Sequence, residues 1–254
     1  MNGNSNNLII GTYFCEKFID PKKEIFIPKN DFNVIKSLYS KKRPFKWNDA
    51  DVRIFHDGLD KEFIKRYSKK WVKFIYVDTS KYLMGPKDIK LLVSLDFMKE
   101  HPQWENVVIL DTLNVKCVSN PFPQIIDNNN SIFLANNQKI LNDNVMFISK
   151  LENINVTVNQ KCIAQRPELN SDIVCGTRNS LIPFLEKVKD LLYRLQDSFR
   201  NSDFGSFSIL HNSIAINYVS LTQNDILTDN PLFVSNKYYQ IHGNLKKNLM
   251  FTYK

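Results

Sequence analysis

No apolar run in the chain approaches the roughly 20 residues that a membrane-spanning helix requires. The opening residues, Met-Asn-Gly-Asn-Ser-Asn-Asn, carry neither the basic nor the apolar part of a signal peptide, so the expected location is cytoplasmic. Cysteine is sparse. Cys15, Cys117, Cys162 and Cys175 lie far apart and form no C-x-x-C pair, which argues against a zinc ribbon or a thioredoxin-like motif and points to free buried thiols. Basic residues form no block either: Lys22-Lys23, Lys41-Lys42-Arg43, Lys69-Lys70 and Lys246-Lys247 are dispersed, unlike a nucleic-acid-binding arm. The chain also lacks an internal repeat.

What remains is the composition of an ordinary globular protein, with 43% hydrophobic and 24% charged residues, neither disordered nor membrane-like. A length of 254 residues fits one domain over 1–254, with 1–7 as a flexible tail. The formal charge of +8 favours an anionic partner, which could be nucleic acid, a lipid surface or a phosphorylated small molecule.

The hydrophobic pattern alternates between buried strands and helices. Leu8 to Phe14, Val52 to Phe55, Val72 to Val77 and Trp104 to Leu110 are short apolar runs, each ending in polar residues. Lys61 to Lys69 has helical character, and Gly85-Pro86 opens an amphipathic helix over Lys87 to Glu100. Ile132 to Ala135 reads as a short strand within an asparagine-rich stretch. Ser180 to Phe199 carries a leucine-rich stripe at helical spacing, followed by short strand-like runs. Strands apolar along their whole length predict an α/β fold with a mostly parallel sheet covered on both faces.

Ligands of such sheets bind beyond the carboxyl ends of the strands. Thr12-Tyr13, Asp57 and Asp111 stand there. Asp111 follows four aliphatic residues and precedes Asn114, and oxygen ligands at such a spot suit a hard cation bridging a diphosphate. A strand-end aspartate capping a turn is the alternative. The literal Asp49-Ala50-Asp51 precedes its strand and so sits at the wrong end of the sheet. Trp47, Trp71 and Trp104 read as packing residues.

Together these segments resemble the nucleotide-diphospho-sugar transferases of the GT-A fold. The resemblance is one of pattern, running from about Leu8 to Lys247. It rests on Thr12-Tyr13-Phe14 with Asp20-Pro21, His56-Asp57-Gly58-Leu59, Gly85-Pro86-Lys87-Asp88-Ile89-Lys90 and Ile109 to Val115 with Asn120-Pro121-Phe122. Leu169 to Gly176, Asp203-Phe204-Gly205 and Ile241-His242-Gly243 continue it in the same order.

The resemblance implies a single-domain GT-A-like fold and a glycosyltransferase moving a sugar from a nucleotide-sugar donor to a carbohydrate or glycoconjugate acceptor. Thr12, Tyr13, Asp57, Asp88, Lys90, Lys246 and Lys247 would bind the donor. Asp111, Asn114 and His242 would hold a divalent cation, manganese or magnesium, and Asp172 or Asp203 would act on the acceptor hydroxyl. Asn114 stands where that family usually has a second acid, and Asp172 where it has a small residue. Weakened metal binding, diphosphate neutralisation by Lys90, Lys246 and Lys247, and a degenerate binding protein are all compatible with this departure. A basic nucleic-acid-binding domain is a further alternative, disfavoured by the dispersed charge.

Overall fold

The computed structural model describes residues 6–20, 25–39, 50–117, 120–141, 145–154, 167–200, 211–221, 226–227 and 251–253. The first half of the described chain contains β1 (Asn7–Tyr13), β2 (Phe18–Asp20), β3 (Ile25–Phe26), α1 (Phe32–Ile35), β4 (Ala50–His56), α2 (Lys61–Tyr67) and β5 (Val72–Tyr76). Next come α3 (Pro86–Glu100), β6 (Asn106–Leu110), β7 (Val115–Cys117), α4 (Phe122–Asp127), β8 (Ile132–Ile140) and α5 (Val145–Glu152). The remainder is β9 (Pro167–Thr177), α6 (Arg178–Arg200), α7 (His211–Leu221), β10 (Ile226–Leu227) and β11 (Phe251–Tyr253).

Seven strands form one sheet in the order β10-β8-β9-β6-β1-β4-β5. β1 is parallel to β4 and β6, and β4 to β5, whereas β9 runs antiparallel to both β6 and β8. The mostly parallel α/β sheet expected from the apolar strands is present, with β9 as its reversed member. β7 and β11 pair in a separate two-stranded sheet.

Alternation along each strand distributes the core between two faces. Leu8, Ile10, Phe14, Val107 and Ile109 enter one cluster, which α3, α6 and α7 cover. Ile9, Tyr13, Val108 and Leu110 enter the other, closed by residues of α1, α2 and α4. All five residues of β6 are buried, as a central strand between two helical layers requires.

Helix α3 begins with Pro86 at its first turn, where the missing N–H costs no hydrogen bond. It is less amphipathic than its pattern predicts: Asp88 through Leu95 are all buried, Lys90 and Ser94 included. Helix α7 was not legible in the sequence, where strand-like runs were expected. Its residues are buried on nearly every side, so no polar face marks a helical period. Trp104 packs on Phe97 and beneath the Arg53 guanidinium, a packing role as expected. Asp51 pairs with Arg53 near the start of β4, at the end of the sheet remote from Asp57. Cys15 and Cys175 are buried free thiols.

Gly11 on β1 is demanded by close approach. A Cβ there would lie 2.6 Å from Thr112 Cγ2 and 3.2 Å from Leu38 Cδ1. Thr112 cannot easily turn away, because its hydroxyl donates to the Thr12 carbonyl at 2.5 Å. Gly11→Ala is therefore expected to destabilise the fold by roughly 1–3 kcal/mol, with Thr112→Ser in the same chain recovering part of the loss. Urea denaturation of the single and double variants checks this, and equal midpoints for the two would refute the contact.

Candidate functional site

The carboxyl ends of β1, β4, β5 and β6 lie along one edge of the sheet. Tyr13 is in register with His56, His56 with Tyr76, and Gly11 with Leu110. Asp57 and Asp111 therefore follow β4 and β6, the two parallel strands that flank β1, just past their ends.

Between the loops after β1, β4 and β5 and the start of α3 lies a cleft of about 250 Å³. Its lining includes Glu16, Lys17, Asp57, Tyr76, Asp78 and Thr79, with Gly85 and Pro86 on the helix side. Tyr76 is 65% exposed and brings an aromatic surface to the cleft lining. Asp57 shapes the cleft from beneath. Its Oδ1 accepts from the Cys15 N–H at 2.7 Å and the Glu16 N–H at 3.2 Å, and its Oδ2 accepts from the Thr79 hydroxyl at 3.1 Å. This carboxylate ties the β1 and β5 loops together.

On the other side of the first turn of α3 is an ionic cluster. The Lys87 ammonium lies 2.5 Å from Asp172 Oδ1 and 3.7 Å from Asp111 Oδ2. The Asp111 N–H also donates to the Asp172 carbonyl at 2.8 Å, joining β6 to β9 just past their last paired residues. Asp172 reaches this position because β9 breaks register with β8 there. Leu134 faces Val174, but Ala135 faces Asn170, so Ser171, Asp172 and Ile173 have no partner on β8. Such a bulge re-aims side chains.

Side chains compensate the interrupted ladder. Lys90 Nζ donates to the Ser171 carbonyl, and the Ser171 hydroxyl donates to Asn212 Oδ1 at 2.9 Å. Asn217 both accepts from the Leu169 N–H and donates to the Leu169 carbonyl, each at 2.8 Å. Backbone groups buried in the sheet thereby keep partners.

The expected residues divide accordingly. Asp57 lines the cleft, while Asp111 and Asp172 meet in the ionic cluster. Thr12, half-buried, gives its carbonyl to Thr112. Tyr13 points away from the cleft into the core. Its hydroxyl bonds the Pro28 carbonyl and accepts from the Asp31 N–H at 2.7 Å, and burial pushes its pKa up to about 12. Alternation along β1 accounts for this: Tyr13 shares the face of Ile9, opposite Phe14.

Asp88 is buried on the inner side of α3, with His211 Nδ1 4.0 Å from its Oδ2. Lys90 is fully buried rather than directed at a ligand, and Lys87, one turn earlier, is the lysine at the surface. Lys87 carried no role in the sequence reading; its nearness to Pro86 at the helix start was the available signal. Asp78 and Thr79 also line the cleft, and their place just after β5 was the available signal. Asp203, His242, Lys246 and Lys247 lie outside the described residues.

Asp111 and Asn114 as placed do not fit a divalent cation. Asp111 Oδ1 already accepts the N–H groups of Leu113 at 2.9 Å and Asn114 at 3.3 Å. Asn114 turns its Nδ2, not its oxygen, to Asp111 Oδ2 at 3.0 Å. Among the described residues no three His, Cys, Asp or Glu side chains converge as cation ligands.

No protein-family model and no curated protein sequence matches the chain. Among solved structures, the chain is similar in fold to a sugar transferase. This is the galactosyltransferase LgtC, solved in complex with donor and acceptor sugar analogues. The match covers 97% of this chain and 86% of that one at a TM-score of 0.53, with 9% identical residues. The fold of this chain is therefore a single-domain GT-A-like α/β fold. No helix among the described residues is long and apolar enough to cross a membrane.

Burial of Lys90 has a measurable consequence. Desolvation outweighs the attraction of Asp111, Asp172 and Asp88 and, with the repulsion of Lys87, lowers its pKa from 10.5 to about 8. Between those values the unfolded chain binds a proton that the folded chain lacks, so this group makes stability rise with pH. The unfolding free energy of the wild type, relative to Lys90→Met, is expected to increase from pH 8 to pH 10 by up to about 1.4 kcal/mol per pH unit. Urea denaturation across that range tests it; a difference that stays flat or falls contradicts the buried charge.

Proposed function

We propose that the protein is a glycosyltransferase that moves a sugar from a nucleotide-sugar donor to an acceptor hydroxyl. The observation carrying this reading is that a cleft and an ionic cluster flank the same helix start. The cleft lies at the ends of β1, β4 and β5, and the Lys87-Asp111-Asp172 group lies beside it at the ends of β6 and β9. The GT-A-like fold supports it.

In this reading the nucleoside occupies the cleft, with the Tyr76 ring as a stacking surface and Asp78 and Glu16 as acceptors for ribose hydroxyls. The diphosphate then lies toward Gly85 and Pro86, where the positive end of a 15-residue helix favours an anion. Transfer breaks the bond between the anomeric carbon and the diphosphate oxygen, which keeps the electron pair. The acceptor oxygen forms the new bond and gives its proton to Asp172. Charge growing on the diphosphate is what fixed positive groups at this edge stabilise. Asp203 is a second candidate for the proton, and His242, Lys246 and Lys247 for diphosphate contacts, on the resemblance alone.

Thermal-shift titration with nucleoside diphosphates and nucleotide sugars tests the donor site. A ligand at 100 times its Kd raises stability by about 2.7 kcal/mol, so one nucleotide series is expected to raise Tm. Asp172→Asn should retain that shift and lower the transfer rate about 100-fold or more. Absence of a shift with every nucleotide would favour a binding protein that has kept the fold without turnover.

A further inference from the structure

We propose that the Lys87 ammonium occupies the position of the divalent cation in this chain, as a tethered charge that meets the donor's diphosphate directly. The inference deepens the glycosyltransferase reading and rests on it for the identity of the anion. It goes further by giving the cation's role to a residue that the resemblance leaves without one.

Three observations converge on Lys87. The first is position: its ammonium bridges Asp172 Oδ1 at 2.5 Å and Asp111 Oδ2 at 3.7 Å, side chains brought together from β9 and β6. The second is access. The Lys87 side chain is 36% exposed, whereas those of Asp172 and Asp111 are 10% and 11% exposed, so an incoming anion meets the ammonium before the carboxylates. Its neighbours Pro86 and Gly85 line the cleft.

The third is charge balance. A divalent cation is matched to a site with surplus negative charge. Asn114 offers this cluster no carboxylate and turns its amide N–H, not its oxygen, to Asp111. Two carboxylates, Asp111 and Asp172, then stand against two ammoniums, Lys87 above and Lys90 beneath. Adding a divalent ion there would place it against a resident positive charge. A lysine also suits the position chemically, because its ammonium is a compact point charge able to contact a phosphate oxygen.

The test titrates uridine, adenosine, guanosine and cytidine diphosphates into the wild type, Lys87→Met and Lys87→Arg, each in EDTA and in Mn²⁺. Free Mn²⁺ is measured in parallel by electron paramagnetic resonance without nucleotide. The wild type should bind its nucleoside diphosphate with Kd values in EDTA and Mn²⁺ that agree within about twofold. Lys87→Met releases the carboxylate oxygens of Asp172 and Asp111 that the ammonium holds, so it should lose about tenfold or more in EDTA, regain affinity in Mn²⁺, and sequester Mn²⁺ that the wild type leaves free. Lys87→Arg should stay insensitive to EDTA.

A wild type whose binding requires Mn²⁺ overturns the proposal even if Lys87→Met fails to fold. So does a folded Lys87→Met that takes up no more Mn²⁺ than the wild type. If no nucleoside diphosphate binds under any condition, the donor reading falls, while the Mn²⁺ titration still decides whether Lys87 fills a cation position.

Discussion

Ser171, Asp172 and Ile173 interrupt the pairing of β9 with β8, and the interruption depends on a charged group being available inside the protein. A carbonyl released from a sheet ladder in a buried setting needs a donor, and Lys90 supplies it for Ser171. Asn212 and Asn217 complete the local bonding from α7. With the backbone satisfied in this way, Asp172 can leave the regular strand direction and approach Lys87 and Asp111. Helix α3 has a double part in this arrangement: Lys90 holds the bulge from within, and Lys87, one turn nearer the cleft, meets the carboxylate that the bulge presents.

The two ends of the site are fixed by different means. At the cleft, one carboxylate does the work: Asp57 gathers the N–H groups of Cys15 and Glu16 and the hydroxyl of Thr79, so loops from β1 and β5 share one anchor. At the ionic cluster the binding is distributed over α3, β6 and β9. Surface ion pairs contribute little to stability, but pairs with carboxylates about nine-tenths buried are screened less by solvent. The start of α3 connects the two ends.

Much of this was legible in the sequence where local pattern and tertiary role coincide. A short, β-branched run such as Val107 to Leu110 favours a buried strand, and an aspartate directly after it then stands at the sheet edge. Gly85-Pro86 announces a helix start for reasons internal to the chain. Legibility failed where the outcome depends on which face looks inward. Lys87 and Lys90 are three residues apart on one helix, and only the placement of β9 makes one a surface group and the other a core group. Tyr13 and Phe14 are separated by the alternation of β1, and nothing in their identities tells which face carries the α1 loop. Helix α7 hid because a helix buried all round has no periodic contrast to read.

The tight seat of Thr112 against Gly11 bears on how the site reaches its working shape. The loop carrying Asp111 is clasped to β1 by that contact and by the Thr112 hydroxyl on the Thr12 carbonyl, while Asp111 itself closes the turn through Leu113 and Asn114. These restraints come from the polypeptide alone. A sheet edge assembled in this manner is preorganised, so a ligand binding there would meet charges already aimed and would spend little of its binding energy on ordering the loop.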